Sequence, residues 1–241
     1  MNRELFLQAC KCEKLSKGIG TLGEKTLHRI IKNYYEPQSE NHEIKIGNFV
    51  ADIVGKDGII EIQTRNFNTM RKKLSAFLEV TDVTIIYPIA QLKWLCWIDQ
   101  TTGEITKKRR SPKKGVPQDI FFELYKIKSY LNNPNLHFKI CMLEVTEYRY
   151  LNGWSHDKKR GSSRCDRIPT DILNEVQINS ISDYKKLIPD NLPENFTSKD
   201  FSKACKIPTR SSQIALNILN YLEIVTRVSK KRNSYIYKIK I

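Results

Sequence analysis

Apolar side chains recur with two different periods along the first part of the chain, and these periods predict its elements. Residues 3–16 and the segment that ends at Pro37 have the spacing of helices. Three short runs, HEIKI, NFVADIV and GIIEIQT, alternate as strands do, and the K-D-G triplet predicts a hairpin between the last two. A helix over about 66–78 and a buried strand, DVTIIYP, follow. This order predicts an α/β fold, a mixed sheet flanked by helices.

The middle of the chain has a weaker pattern. GEITKKRRSPKKGVPQD is polar and contains Pro and Gly, so it predicts a loop, while DIFFELYKIKSYL predicts a helix. LHFKICMLEVTEYRYL predicts one long strand or half of a hairpin, and HDKKRGSSRCDR predicts a second basic loop. We therefore divide residues 1–190 into a core at about 20–90 and an extension at 91–190.

The pattern becomes clear again after residue 196. Thr197 and Asp200 have the spacing of a capping box that opens a short helix, and a second helix is predicted to run from Thr209 through Leu222. EIVTRV and SYIYKIKI then alternate as two strands joined by a basic turn. Two helices followed by a basic hairpin predict a winged helix-turn-helix domain over residues 196–241.

Composition adds a preference for a polyanionic partner. The 241 residues include 41 Lys and Arg against 26 Asp and Glu, a net charge of +15, and 40% hydrophobic residues exclude a mostly disordered chain. Residues 196–241 alone carry ten Lys and Arg against two acids. Nucleic acid or an anionic membrane surface are the two partners that such charge favours.

Several classes of protein are excluded. The start, MNRELFLQACKCEKL, lacks the apolar stretch of a secretory signal, and Gln91 and Lys93 interrupt the most apolar region, so we expect no membrane span. Six dispersed cysteines indicate reduced, mostly buried thiols, and the four histidines form no metal-binding pair. We expect a cytoplasmic protein.

The candidate chemistry lies in the predicted hairpin. Alternation places Glu61 and Gln63 on one face of the third run, and the hairpin brings Asp52 beside Glu61. Two acids on a buried face repel each other unless a cation compensates them, and Mg²⁺ prefers such oxygen ligands. Glu24, in the preceding helix, can supply a third carboxylate. The alternative is that Asp52 and Glu61 are surface acids on a half-exposed sheet, paired with lysines such as Lys45 or Lys56.

The pattern Glu24 … Asp52-x8-Glu61-x-Gln63 resembles that of the PD-(D/E)XK nuclease superfamily, and the element order over about residues 20–90 is similar to its restriction-endonuclease-like core. The resemblance implies hydrolysis of DNA phosphodiester bonds with Mg²⁺ or Mn²⁺. It implies that Asp52 and Glu61 bind the metal, and that Glu24 does so directly or through water. The sequence departs from the pattern at Ala51, where Pro is usual, and at Gln63, where Lys is usual.

Gln63 can orient a water or a phosphate but carries no charge. Lys73 lies on the inward side of the next predicted helix, and KLSAFL resembles the family helix that projects a polar residue towards the metal. Lys73 can therefore replace the missing charge, and Gln63 and Lys73 would together position water and phosphate. The alternative is that Lys73 is a snorkelling lysine at a helix edge. His28 is interpreted as a helix-surface or packing histidine.

Three sets of residues are candidates for DNA contact. The polar stripe of the second winged-helix helix carries side chains suited to base edges, and the hairpin tip and the basic loop suit phosphates. The sets are Arg210, Gln213, Asn217 and Asn220; Lys230, Lys231 and Arg232; and Lys108, Arg109 and Arg110, predicted to flank the cleft. The alternatives are that these faces are solvated or that the winged helix contacts protein.

These observations predict a metal-dependent DNA endonuclease that is targeted by a winged helix. The alternative is a DNA-binding protein with a nuclease fold that lost its lysine and serves as a regulator or scaffold. A cut through both strands needs two active sites, which makes a homodimer plausible.

Overall fold

A seven-stranded mixed sheet forms the centre of the protein in our computed structural model, which describes residues 1–16, 26–153 and 163–240. Its strand order is β1-β2-β3-β4-β6-β7, and β5 pairs with β4. The β3–β4 and β4–β6 pairs are parallel, and the other pairs are antiparallel. The strands are β1 (His42–Ile46), β2 (Phe49–Gly55), β3 (Gly58–Ile62), β4 (Val83–Ile98), β5 (Arg109–Arg110), β6 (Leu136–Tyr150) and β7 (Ser163–Ile178).

Helices cover both faces of this sheet, so the α/β architecture predicted from the sequence is confirmed. On one face, α1 (Arg3–Ser16) and α2 (Thr26–Tyr35) bury residues such as Phe6 and Ile30. On the other face lie α3 (Arg71–Leu78), which follows a 3₁₀ turn, and α4 (Phe121–Leu124). Each helix presents an apolar side to the sheet, because burial of these side chains is the main favourable term in packing.

The C-terminal segment has the predicted order of elements. It consists of β8 (Phe196–Thr197), α5 (Ser198–Cys205), α6 (Thr209–Tyr221), β9 (Val225–Lys231) and β10 (Ser234–Ile239), with strand order β8-β10-β9. The predicted capping box is confirmed. The Asp200 carboxylate accepts from the Thr197 N–H at 2.8 Å, and the Thr197 hydroxyl accepts from the Asp200 N–H.

This segment packs directly on the rest of the chain. Helix α6 lies against α4, and Leu216 and Leu219 belong to the same buried cluster as Leu124. At the edge of this contact, the Lys128 ammonium donates to the Asn217 side chain at 2.9 Å. The two parts therefore share one hydrophobic core.

Three predictions for the middle of the chain are wrong. Strand β4 continues past Pro88 to Ile98. In the predicted second basic loop, Ser163–Arg167 belong to β7, while residues 156–162 lie outside the described residues. The predicted helix at 119–131 is only the short α4 between two 3₁₀ segments, because Ile127 departs from helical geometry with φ −118°.

The turn between β2 and β3 occurs where the K-D-G triplet predicts it. Gly58 has φ +101°, and a Cβ at this position would lie 2.3 Å from the carbonyl oxygen of Asp82. Only glycine fits there without strain. The turn thus fixes the register of β3, three residues before Glu61.

Burial of the thiols agrees with the sequence. Four of the six thiols are buried, those of Cys10, Cys96, Cys141 and Cys205. Across the described ranges, no helix combines the length and the apolar character that a membrane crossing requires.

Candidate functional site

Strands β2 and β3 separate at the two predicted carboxylates. The β2–β3 pairing reaches Ile53 and Ile60 and stops there. Beyond this pair, the backbone N–H of Asp52 donates to Glu61 Oε1 at 3.1 Å, and the N–H of Ile62 donates to Asp52 Oδ2 at 2.8 Å. The carboxylates thus occupy positions where strand–strand hydrogen bonds would otherwise lie, and they converge as the sequence predicted.

Each carboxylate has a basic partner from a different helix. His28 of α2 lies with Nε2 3.2 Å from Asp52 Oδ2, and Lys73 of α3 donates to Glu61 Oε2 at 2.6 Å. Glu61 is only 5% exposed. The alternative of surface acids paired with Lys45 or Lys56 is therefore wrong for Glu61.

These groups line an open cavity of about 450 Å³ at the end of β3. Gln63 follows Glu61 into its wall, so the cavity contains every described member of the predicted catalytic set. Segment 67–70, which leads into α3, is fixed because the N–H of Phe67 donates to the buried carboxylate of Glu123 at 2.9 Å. The lining residues are Leu27, His28, Asp52, Glu61, Ile62, Gln63, Thr64, Thr69, Met70 and Lys73.

The two carboxylates differ in acidity. Burial and the charge of Asp52 raise the pKa of Glu61 to about 7, although Lys73 acts in the opposite direction. Burial also favours a higher pKa for Asp52, but the hydrogen bond and charge of His28 and the N–H of Ile62 outweigh it, so the pKa of Asp52 is lowered. Asp52 is thus the ionised member of the pair at neutral pH, and Glu61 holds its proton more tightly.

The donor set fits a hard divalent cation. Mg²⁺ commonly uses one or two carboxylates and keeps several waters, and Asp52 and Glu61 supply two carboxylates at an open cavity. Within the described ranges, no group of three or more His, Cys, Asp or Glu side chains is placed to hold a metal ion. Glu24, the predicted third ligand, lies outside the described residues.

The predicted DNA-contacting residues of α6 divide into two pairs. Arg210 and Gln213 are exposed, whereas Asn217 and Asn220 are half-buried. The side chain of Asn217 is also engaged by Lys128 within the chain. Packing on α4 covers this end of the helix, so the N-terminal half of the stripe is the accessible part.

The remaining predicted contacts are exposed at other places. Lys230, Lys231 and Arg232 lie at the tip of the β9–β10 hairpin. Arg109 and Arg110, with Lys108 beside them, pair with β4 at Leu95 and Trp94, whereas Glu61 lies beside Ile85. At the usual rise per residue, the part of β4 between Ile85 and Trp94 is roughly 30 Å long. The structure therefore does not bring this basic loop to the carboxylates.

The sequence did not predict all residues that line the site. His28 was interpreted as a helix-surface or packing residue, yet it contacts Asp52. In the sequence it follows Glu24 by four positions, which is one turn of the helix predicted there. That spacing is the signal that could have placed it on the same side. Thr64 and Thr69 also line the cavity, and a single sequence gives no signal that separates them from other surface threonines.

Most of the described sheet falls within one family. A model described as "Domain of unknown function (DUF8091)" matches residues 25–179, and the chain belongs to this family. An uncharacterized protein of Treponema pallidum (strain Nichols) is 26% identical over 188 residues, which cover 77% of this chain and 74% of the relative. No solved structure matches the chain. The matched region contains the carboxylate cavity and ends before β8.

Proposed function

We propose that the protein is a metal-dependent DNA endonuclease with a restriction-endonuclease-like core. The observation that carries this proposal is the convergence of Asp52 and Glu61 at the opening between β2 and β3, with Lys73 2.6 Å from Glu61. Two carboxylates and a cation in one cavity are the groups that phosphodiester hydrolysis needs. The element order around the cavity supports the same fold.

Each side chain of the cavity has a defined task in this proposal. Asp52 and Glu61 would hold Mg²⁺ or Mn²⁺, whose chemistry is to stabilise charge on the scissile phosphate and to lower the pKa of a bound water. His28 keeps Asp52 oriented and ionised. Lys73 places positive charge beside the reacting phosphate, in the role that the lysine of the motif has, and Gln63 orients the water through its amide.

The C-terminal segment is proposed to be a winged helix that binds DNA. Its support is the order of α5, α6 and the β9–β10 hairpin, and the exposure of basic residues at the hairpin tip. Arg210 and Gln213 would read base edges, while Lys230, Lys231 and Arg232 would contact phosphates. A homodimer, which a cut through both strands would require, stays a prediction.

Incubation with plasmid and with branched DNA, in Mg²⁺, Mn²⁺ or EDTA, tests the proposal. We expect cleavage with either metal and none in EDTA. Asp52→Asn removes a carboxylate charge with little change of shape and should reduce cleavage at least a hundredfold while DNA binding persists, since loss of one such group costs about 3 kcal/mol or more.

Asp57→Asn is the matched control, because Asp57 is an exposed acid in the turn of the same hairpin. This variant should cut at the parental rate. Parental cleavage by Asp52→Asn would contradict the assignment of the site. Absence of cleavage with every metal and substrate, with DNA binding intact, would favour the regulator or scaffold, for which the uncharged Gln63 is the supporting observation.

A further inference from the structure

A second cavity, of about 320 Å³, adjoins the carboxylate cavity and is strongly basic. The two cavities share Leu27 and Thr64 in their walls, so they are neighbours. We call the second cavity the arginine cleft, after the three arginines that line it together with Cys165 and Asp166. These are Arg65, Arg164 and Arg167.

A buried carboxylate fixes the positive charge of this cleft. Glu147 of β6 has 0% exposure and accepts from Arg167 at 2.9 Å and from Arg149 through its Nε at 2.8 Å. Arg164 and Lys93 lie 3.7 and 3.8 Å from the same carboxylate. One anion thus holds four cations in place.

The sheet directs this cluster towards the carboxylate cavity. Leu143 and Val145 of β6 pack on the side of α1 and α2, and Glu147 continues that side two residues further along the strand. Helix α2 reaches the arginine cleft as well, because the hydroxyl of Thr26, its first residue, donates to Asp166 at 2.5 Å. Helix α2 also carries His28, so one helix borders both cavities.

Among the described residues, the cations of the cluster outnumber the acids. Four cations surround Glu147 and Arg65 adds a fifth, whereas Asp166, which Thr26 already engages, is the one other carboxylate in the described lining of the cleft. Burial lowers the pKa of Arg164. The neighbouring charges of Arg167, Arg149 and Arg65 lower it further, and the attraction of Glu147 acts in the opposite direction. Like charges held this closely in a partly buried place favour the binding of an anion.

We propose that the arginine cleft binds a backbone phosphate of the nucleic-acid strand whose scissile phosphate occupies the carboxylate cavity. This inference rests on the proposed function and names the path of the substrate past the site. Guanidinium groups bind phosphate through paired hydrogen bonds, and two cavities that share Leu27 and Thr64 lie close enough for one strand to contact both. A strand bound in this way is held at both the reacting phosphate and a neighbouring one.

DNA binding by an Arg65→Ala/Arg164→Ala variant tests the cleft. Both side chains are exposed, so the fold should tolerate their loss, which thermal unfolding checks. Binding to a short labelled DNA is measured by fluorescence anisotropy in EDTA over a series of salt concentrations. We expect the dissociation constant to rise about tenfold and the slope of its logarithm against log salt to fall by about 1–2, because up to two phosphate contacts are lost.

The control carries the same change of charge elsewhere. Lys45→Ala/Lys185→Ala removes two exposed lysines, of which one lies on the edge strand β1 and the other beyond the opposite end of β7. This control should bind as the parental protein does. Equal weakening in both variants, or none in the cleft variant, would overturn the proposal, because the cleft would then contribute only general charge or no contact.

Two further measurements show what causes a loss of DNA binding in the cleft variant. A defect seen only with 5′-phosphorylated DNA, and not with the 5′-hydroxyl form, would overturn the proposal in favour of a terminal-phosphate pocket. Because binding is measured in EDTA, it does not depend on cleavage. The parental protein could fail to cut DNA with Mg²⁺ or Mn²⁺ while the cleft variant still binds DNA more weakly than the parental protein. That result would reject the endonuclease proposal and keep the cleft as a nucleic-acid binding site.

Discussion

Replacing Glu61 by glutamine in the metal-free protein should raise the free energy of unfolding, by an amount that depends on pH. Burial and the charge of Asp52 raise the pKa of this carboxyl from its ordinary 4.5 to about 7 in the folded protein, against the attraction of Lys73. The folded protein therefore binds a proton that the unfolded chain has already released between these pH values. Once both states are ionised, the buried charge destabilises the fold.

The gap between the two pKa values corresponds to about 3 kcal/mol. The stability that the protonated Glu61 contributes is fully present below pH 4.5 and is lost as the pH rises through about 7. Glutamine resembles the protonated acid and cannot ionise. The gain from Glu61→Gln should thus be close to zero at pH 4.5 and about 3 kcal/mol at pH 9, or about 6–12 °C in the unfolding midpoint.

Urea unfolding in EDTA at pH 5, 7 and 9 measures this gain. Glu79→Gln is the control, because Glu79 is an exposed acid at the end of α3 and its replacement should change little at any pH. A gain for Glu61→Gln that is equal at all three pH values would refute the reasoning, since it would not come from ionisation. A loss of stability at pH 9 would refute it as well.

Lys73→Met should lower turnover about a hundredfold, or about 3 kcal/mol, with little change in Mg²⁺ affinity measured by calorimetry; a parental rate would return Lys73 to the role of a snorkelling lysine. Glu147→Gln should destabilise the protein by about 3–5 kcal/mol at pH 7, because its cations lose their buried partner. Burial opposes the ionisation of Glu147, but its cations lower its pKa to about 2. The stability that the ionised Glu147 contributes is therefore lost as the pH falls from 4.5 through 2. Urea unfolding should show that the difference in stability between the parental protein and the variant shrinks over this range. Lys231→Ala should weaken binding to all duplexes alike, whereas Gln213→Ala should cost about 1–3 kcal/mol on a preferred site only, which competition between specific and random duplexes distinguishes.

Local patterns were sufficient to predict the hairpin and the convergence of its acids. Alternation along β3 and the glycine turn before it decide which side chains share a face, and both are properties of a few neighbouring residues. Asp52 and Glu61 could therefore be placed together without knowledge of the rest of the fold. The same holds for the Thr197–Asp200 capping box.

Strand β7 and the arginine cleft could not be predicted in this way. Arg164 and Arg167 look like solvated loop residues in the sequence, whereas in the fold they lie on β7, which pairs with β6, and Glu147 of β6 is their partner. Such a pairing joins residues that are far apart in the chain, and local alternation carries no sign of it. The burial of Asn217 was missed for the same reason, since it depends on α4.

The packing of α6 on α4 has a consequence for where a DNA strand would be cut. Buried leucines hold the helix in place, and Lys128 bridges its edge, so the separation between α6 and the carboxylate cavity does not vary as it would with a flexible linker. A duplex held by α6 would then reach the cavity at a constant offset. In the proposed endonuclease, the cut would therefore lie a set number of base pairs from the DNA segment that α6 binds.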